Sequence, residues 1–231
     1  MAGENEEARA RGIAYARESI DLCRAMGARF FQVCAVQPPA YDFGFPHTPI
    51  RTLRENFLRA VEEIAAYAAR REVTILLEPV NGYEAYPGVL TSVYEAKEII
   101  DELGLDNLEI QPDVYHMNIS EGPMLKVLRD VGPYIRHVHV NETNHYSLGS
   151  GHADFPGIVR VLRDVGYEDY LAIYMPLTTQ ENFYAERGYT HSDPPVAQSD
   201  TAKSDLRPYL ETPIAYLRQI EKTLEAATRI Y

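Results

Sequence analysis

Apolar residues along this chain alternate between two rhythms, a spacing of three and four residues and a short near-continuous run. Ile13, Ala16, Ile20 and Cys23 keep the first spacing and predict a helix over the first 28 residues, with Gly27 as its stop. Phe30 to Val36 is a largely apolar run and predicts a buried strand. Leu53, Phe57, Val61, Ile64 and Ala68 mark a second amphipathic helix, and the strand Val73 to Leu77 follows it and ends on Glu78. The alternation then continues with helix 91–103 stopping at Gly104, strand Leu108 to Asp113, helix 122–130 and strand Ile135 to Val140. Helix 155–165 stops at Gly166, strand Tyr170 to Met175 comes next, and a last helix begins near Pro213 with Ile214, Leu217, Ile220 and Leu224 on its apolar face.

Strand and helix in strict alternation imply an α/β fold with parallel strands and crossover helices. The polar residues of interest follow the apolar stretch of each strand, which in a (β/α)8 TIM-type barrel is the C-terminal, active-site face. A doubly wound sheet fits the same alternation, but no Gly-rich phosphate fingerprint follows any strand. Five strands are legible where a barrel has eight, and the pattern opens on a helix. The expectation is therefore one domain over 1–231, an incomplete barrel lacking its first three β/α units, with those strands truncated away or supplied by a partner. Residues 181–206 are polar, contain Pro194-Pro195, and are expected to form a lid, a contact loop or a disordered insert.

Composition narrows the function classes. The net charge is −12, which repels phosphate backbones and disfavours nucleic-acid binding. No apolar run is long enough to cross a bilayer, and Met1 to Glu7 are polar and acidic, so neither a membrane span nor a secretory signal is expected and the expected setting is the cytoplasm. The two cysteines, Cys23 and Cys34, lie in apolar segments and read as packed thiols, not as a disulfide framework.

Three successive strand ends carry metal-type side chains. The second reads Leu77-Glu78-Pro79-Val80-Asn81 with Glu84 beyond, the third Gln111-Pro112-Asp113-Val114-Tyr115-His116, the fourth His137-Val138-His139-Val140-Asn141-Glu142. Carboxylates with imidazole suit Mn2+, Mg2+, Co2+ or Zn2+. Each residue alone also has an ordinary explanation: a carboxylate closing a strand caps helices or pairs with cations, and a strand histidine is usually structural. The rings of His137 and His139 are expected on opposite faces of their strand, so that only one enters a site.

His116-Met117-Asn118-Ile119, read as lying at a strand end, resembles a motif of the D-tagatose/D-psicose 3-epimerase group. The run from His137 to Asn144, continued by Gly149-Ser150-Gly151-His152-Ala153-Asp154-Phe155, is similar to the next motif of the wider xylose-isomerase-like family, and Glu78 with Glu84 matches the preceding one. The resemblance spans roughly residues 8–175. It implies a TIM barrel with a divalent metal held by Glu78, Asp113 and His139, and substrate hydroxyls contacted by His116 and Glu84. It implies isomerase or epimerase chemistry on a small sugar or polyol, in which Glu78 removes a proton α to a carbonyl.

Two positions depart from that pattern. Tyr174 stands where the family places its fourth carboxylate ligand, and His145 stands where related epimerases carry a substrate-binding arginine. A tyrosinate ligand is costly at neutral pH, its reference pKa being near ~10. The loss of the second base favours a one-base isomerisation or a polyol dehydration over two-base epimerisation. The alternatives are a non-catalytic or partner-dependent barrel remnant, a homo-oligomer or complementing subunit included, and an endonuclease-like member of the same fold.

Overall fold

The computed structural model describes residues 1–3, 5–35, 49–84, 88–145, 147–174 and 207–228. The expected insert at 181–206 lies outside them, as do Val36 and Met175 at the ends of two predicted strands.

Helix α1 (Glu6–Ala25) starts where the Asn5 side chain accepts from Ala8 N at 2.9 Å, with Glu6 and Glu7 favourably placed in the first turn. It ends at a left-handed Gly27, φ +73°. Its buried stripe, Ala16 and Ile20, packs toward α2 (Ile50–Ala69), which buries Leu53, Phe57, Val61, Ile64, Ala65 and Ala68. These helices cover strands β1 (Phe30–Val33) and β2 (Thr74–Leu77). Helix α3 (Val93–Leu103) is capped by Ser92 and closed by Gly104 at φ +58°, and strand β3 (Leu108–Ile110) follows. After helices α4 (Val114–Ser120) and α5 (Met124–Val131) come strand β4 (His137–Val140), helix α6 (Phe155–Asp164), strand β5 (Tyr170–Ile173) and helix α7 (Arg207–Thr228).

All strand pairs are parallel, β1 with β2, β2 with β3 and β4 with β5. The two ladders are joined by isolated parallel bridges, Ile110 to Ile135 and Asp113 to His139. The described strands thus form an arc in chain order. One face is apolar, from Val33, Ile75, Leu77, Leu108, Ile110, Val138 and Val140, and packs under the helices. The two-residue strand period puts Gln32, Glu109 and His137 on the opposite, polar face, which is the concave one. At the foot of the arc Arg29 Nη2 reaches Asp169 Oδ1 at 3.4 Å. No helix among the described residues is long and apolar enough to cross a membrane.

Three predictions need correction. Strand β3 stops at Ile110 and the run at His116 is not a strand end, because Asp113 caps a helix there. The last helix begins at Arg207 and contains Pro213. His137 and His139 share a face, with ring centroids 5.6 Å apart, because residues two apart on a strand point the same way.

Candidate active site

Glu78 directly follows β2, whose Ile75 and Leu77 are sealed in the core, so the carboxylate is carried to the strand end on a rigid support and is itself only 5% exposed. Asp113 is the N-cap of α4: its Oδ1 accepts from His116 N at 3.0 Å, while Oδ2 accepts from Asn141 Nδ2 at 2.8 Å. One carboxylate therefore serves the helix and faces the neighbouring strand at once. His139 points between the two acids, its Nδ1 2.8 Å from Glu78 Oε1 and 3.5 Å from Asp113 Oδ2. One ligand atom from each of Glu78, Asp113 and His139 lies within 4.8 Å of the others. Two carboxylates and an imidazole are a donor set that fits a divalent cation.

Two amides lie against this group from the same concave face. Gln32 donates to Glu78 Oε2 in a close hydrogen bond, and buried Gln111 brings Nε2 within 3.2 Å of the His139 ring nitrogen Nε2. Burial alone lowers the His139 pKa, but hydrogen bonds to Asp113 and Glu78 and their charges overcome it and raise the pKa to about 9. Burial likewise pushes Asp113 up, but the hydrogen bond with His139 and the one from the His116 backbone N–H hold it below the usual carboxylate value. His137, one step toward the foot, stays outside this cluster against Phe30 and Tyr170, and its buried Nδ1 has no partner among the described residues. Burial lowers its pKa.

Around the mouth the structure gathers the remaining candidates. His116 lies on α4, and Glu84 accepts from Tyr115 OH at 2.7 Å. His145 stacks on Tyr115 with centroids 4.1 Å apart and planes within 3°, and its buried Nε2 finds no partner among the described residues. It holds φ +64°, an uncommon left-handed conformation for a side-chain residue. Burial lowers its pKa, which favours the neutral ring. Tyr174 stacks on His139 at 5.0 Å and 13°, and lies 5.6 Å from the His145 ring. Burial first, then the charges of Glu78 and Asp113, raise its pKa, so the phenol stays protonated.

Sequence reasoning gave no role to several residues that hold this mouth in shape. Glu142, 1% exposed, accepts from Gly149 N at 2.8 Å and from Thr143 N and Ala153 N at 3.2 Å each, tying down the loop that carries His145. A Cβ at Gly151 would collide with the Glu142 carboxylate, which explains a glycine there. Asn141 Oδ1 accepts from Tyr115 N at 2.8 Å and so links β4 to α4. The available signal was the placement of these amides and acids two or three residues from a strand-end candidate, at the strand period for Gln111 and just past the strand for Asn141 and Glu142.

Residues 1–193 match the family model described as xylose isomerase-like TIM barrel. The L-ribulose 3-epimerase of Methylomonas sp. (strain DH-1) is 31% identical over 158 residues, covering 68% of this chain and 54% of that protein. The hydroxypyruvate isomerase of Escherichia coli (strain K12) is 29% identical over 182 residues, 78% of this chain and 66% of that one. Against its first curated relatives the chain spans about half their length, 54% and 53%. Among solved structures, D-psicose 3-epimerase with D-tagatose from Clostridium cellulolyticum H10 superposes with a TM-score of 0.78 at 18% identity, covering 95% of this chain and 73% of that one. That likeness supports the TIM-barrel fold.

Proposed function

The chain belongs to the xylose isomerase-like TIM barrel family, and from that premise we propose that it is a divalent-metal-dependent isomerase or epimerase of a small sugar or polyol. The observation that carries this reading is the convergence of Glu78, Asp113 and His139, which come from three successive β/α units, to within 4.8 Å of one another. In the proposed site these three hold Mn2+, Mg2+, Co2+ or Zn2+, which when bound supplies Lewis-acid stabilisation to negative charge developing on substrate oxygens.

Glu78 is the base that takes the proton α to the substrate carbonyl, held for that task by Gln32 and His139. His116, Glu84 and His145 are the groups that contact substrate hydroxyls. His145 offers a buried ring nitrogen with no protein partner among the described residues, which suits a hydroxyl of an uncharged sugar. Tyr174 keeps its proton and presents a ring, so it supplies no second carboxylate base. One-base isomerisation is therefore the form of the reaction that this site supports best, ahead of two-base epimerisation.

A second reading has its own observation. On the concave face Gln32 is exposed and Tyr170 is 59% exposed, where a closed barrel packs its interior. A barrel wall completed by another polypeptide accounts for that exposure, and in this reading activity depends on the complementing subunit.

The test is solvent-deuterium incorporation at the carbon next to the carbonyl, followed by NMR, with Mn2+-loaded protein and a panel of free ketoses. The proposal expects incorporation into at least one ketose, abolished by chelation and slowed on the order of 100-fold by Glu78→Gln. Metal-saturated protein that exchanges no ketose proton contradicts it.

A further inference from the structure

Asn81 is fully buried in the turn after β2. Its Oδ1 accepts from two backbone donors, Tyr83 N at 3.1 Å and Glu84 N at 3.2 Å. A backbone N–H can only donate, so this end of the side chain is the oxygen and the other end is the NH2. That NH2 lies 2.9 Å from His116 Nδ1. An amide NH2 has no lone pair to share, so Nδ1 must be the acceptor and the ring proton must sit on Nε2.

From this arrangement we infer that Asn81 is a positioning residue that locks His116 as the neutral Nε2–H tautomer, making it a hydrogen-bond donor to a substrate oxygen and not a base. The ring has little freedom to escape the assignment. Its backbone N–H is fixed on Asp113 at 3.0 Å, and the Tyr115 and His145 rings flank it at 5.1 and 6.2 Å. Any form with a proton on Nδ1 sets two donors against each other in a site where Asn81 is sealed from water. Nε2, at the other side of the ring, has no partner among the described residues. The turn that holds Asn81 also carries Glu84, whose carboxylate takes the Tyr115 hydroxyl. One buried amide thus sets both the place of Glu84 and the proton of His116. Proton removal then falls to a carboxylate, and His116 holds an oxygen of the substrate.

The role toward substrate rests on the proposed function; the tautomer does not. The direct measurement is a long-range 1H–15N correlation on the full chain labelled with 15N-histidine at neutral pH, with His116 assigned by its loss in His116→Gln. The Nε2–H pattern with a bare Nδ1 is expected. Asn81→Asp keeps an oxygen for the turn and sets a second one against Nδ1, so its His116 should carry a proton on Nδ1. An Nδ1–H or doubly protonated His116 in the unaltered protein overturns the inference, as does an unchanged pattern in Asn81→Asp. Should Asn81→Asp fail to fold, the unaltered protein alone decides. Absence of deuterium exchange from every ketose would remove the isomerase reading while leaving the tautomer standing.

Discussion

Glu78 and Asp113 are 5% and 1% exposed at the centre of the arc, while Tyr174, at the end of β5, is 47% exposed. At the centre each polar side chain is fixed from several directions: Asp113 by α4 and Asn141, Glu78 by Gln32 and His139. At the flank Tyr174 is held by ring stacking on His139 and a tilted ring contact with His145. The difference teaches how the two regions carry function. A cluster of like charges needs fixed donors around it before any ion arrives, whereas a neutral ring can sit half in solvent and still close the wall of a site.

The largest expected effect comes from breaking the centre. Asp113→Ala removes a helix cap, the Asn141 partner and an acceptor facing His139, and should cost roughly 3 kcal/mol or more of stability, read by urea unfolding. A loss under about 1 kcal/mol would show that the centre is not tied together as described. Next comes chemistry: Glu78→Gln should fold and yet slow ketose deuterium exchange on the order of 100-fold. Retention of the full exchange rate would move the base elsewhere.

The charge balance at the centre gives a pH signature. The folded-state pKa of His139, about 9, lies above the ordinary value of 6.5, so protonation stabilises the metal-free fold. That contribution is complete below pH 6.5 and is lost as pH rises to about 9. Thermal melts of chelator-treated protein should fall through this window. A bound cation takes the place of the proton, so saturating Mn2+ should remove the decline. Equal pH profiles with and without metal would contradict this.

The flank can be converted toward the centre. Tyr174→Glu puts a carboxylate beside Glu78 and Asp113, so it should lower the melting temperature without metal and enlarge the Mn2+-induced rise. An unchanged metal response would take Tyr174 out of the ligand position. The smallest effect is at the other flank. Among the described strands β1 pairs only with β2, so its backbone amides should exchange faster than those of β2 unless a second chain covers that edge. Exchange in a sedimenting monomer as slow in β1 as in β2 would count against the open edge.

Much of this fold was legible because its signals are long. The stripe of α2 repeats five times, and Val73 to Leu77 is an apolar run broken only by Thr74 and ending at a charge, so both were visible within their own residues. Helix α4 was hidden because seven residues are too few to show a 3.6 period, and Asp113 reads equally as the end of a strand or the cap of a helix. It is both. The shared face of His137 and His139 follows from the two-residue strand period, which places residues i and i+2 on one side, against the opposite faces expected above. Glu142 and Asn81 were quoted in the strand-end motifs yet given no role, because their work is the capture of backbone N–H groups from loops whose path the sequence does not reveal.

A divalent cation held by Glu78, Asp113 and His139 is the centre of the proposed chemistry. Calorimetric titration of Mn2+ into chelator-stripped protein, beside Asp113→Asn, tests this most directly. The asparagine keeps an oxygen to cap α4 and removes the charge. The prediction is one saturable site per chain in the unaltered protein, weakened at least tenfold in Asp113→Asn with the fold intact. Mn2+ binding of equal strength in the two proteins would contradict it.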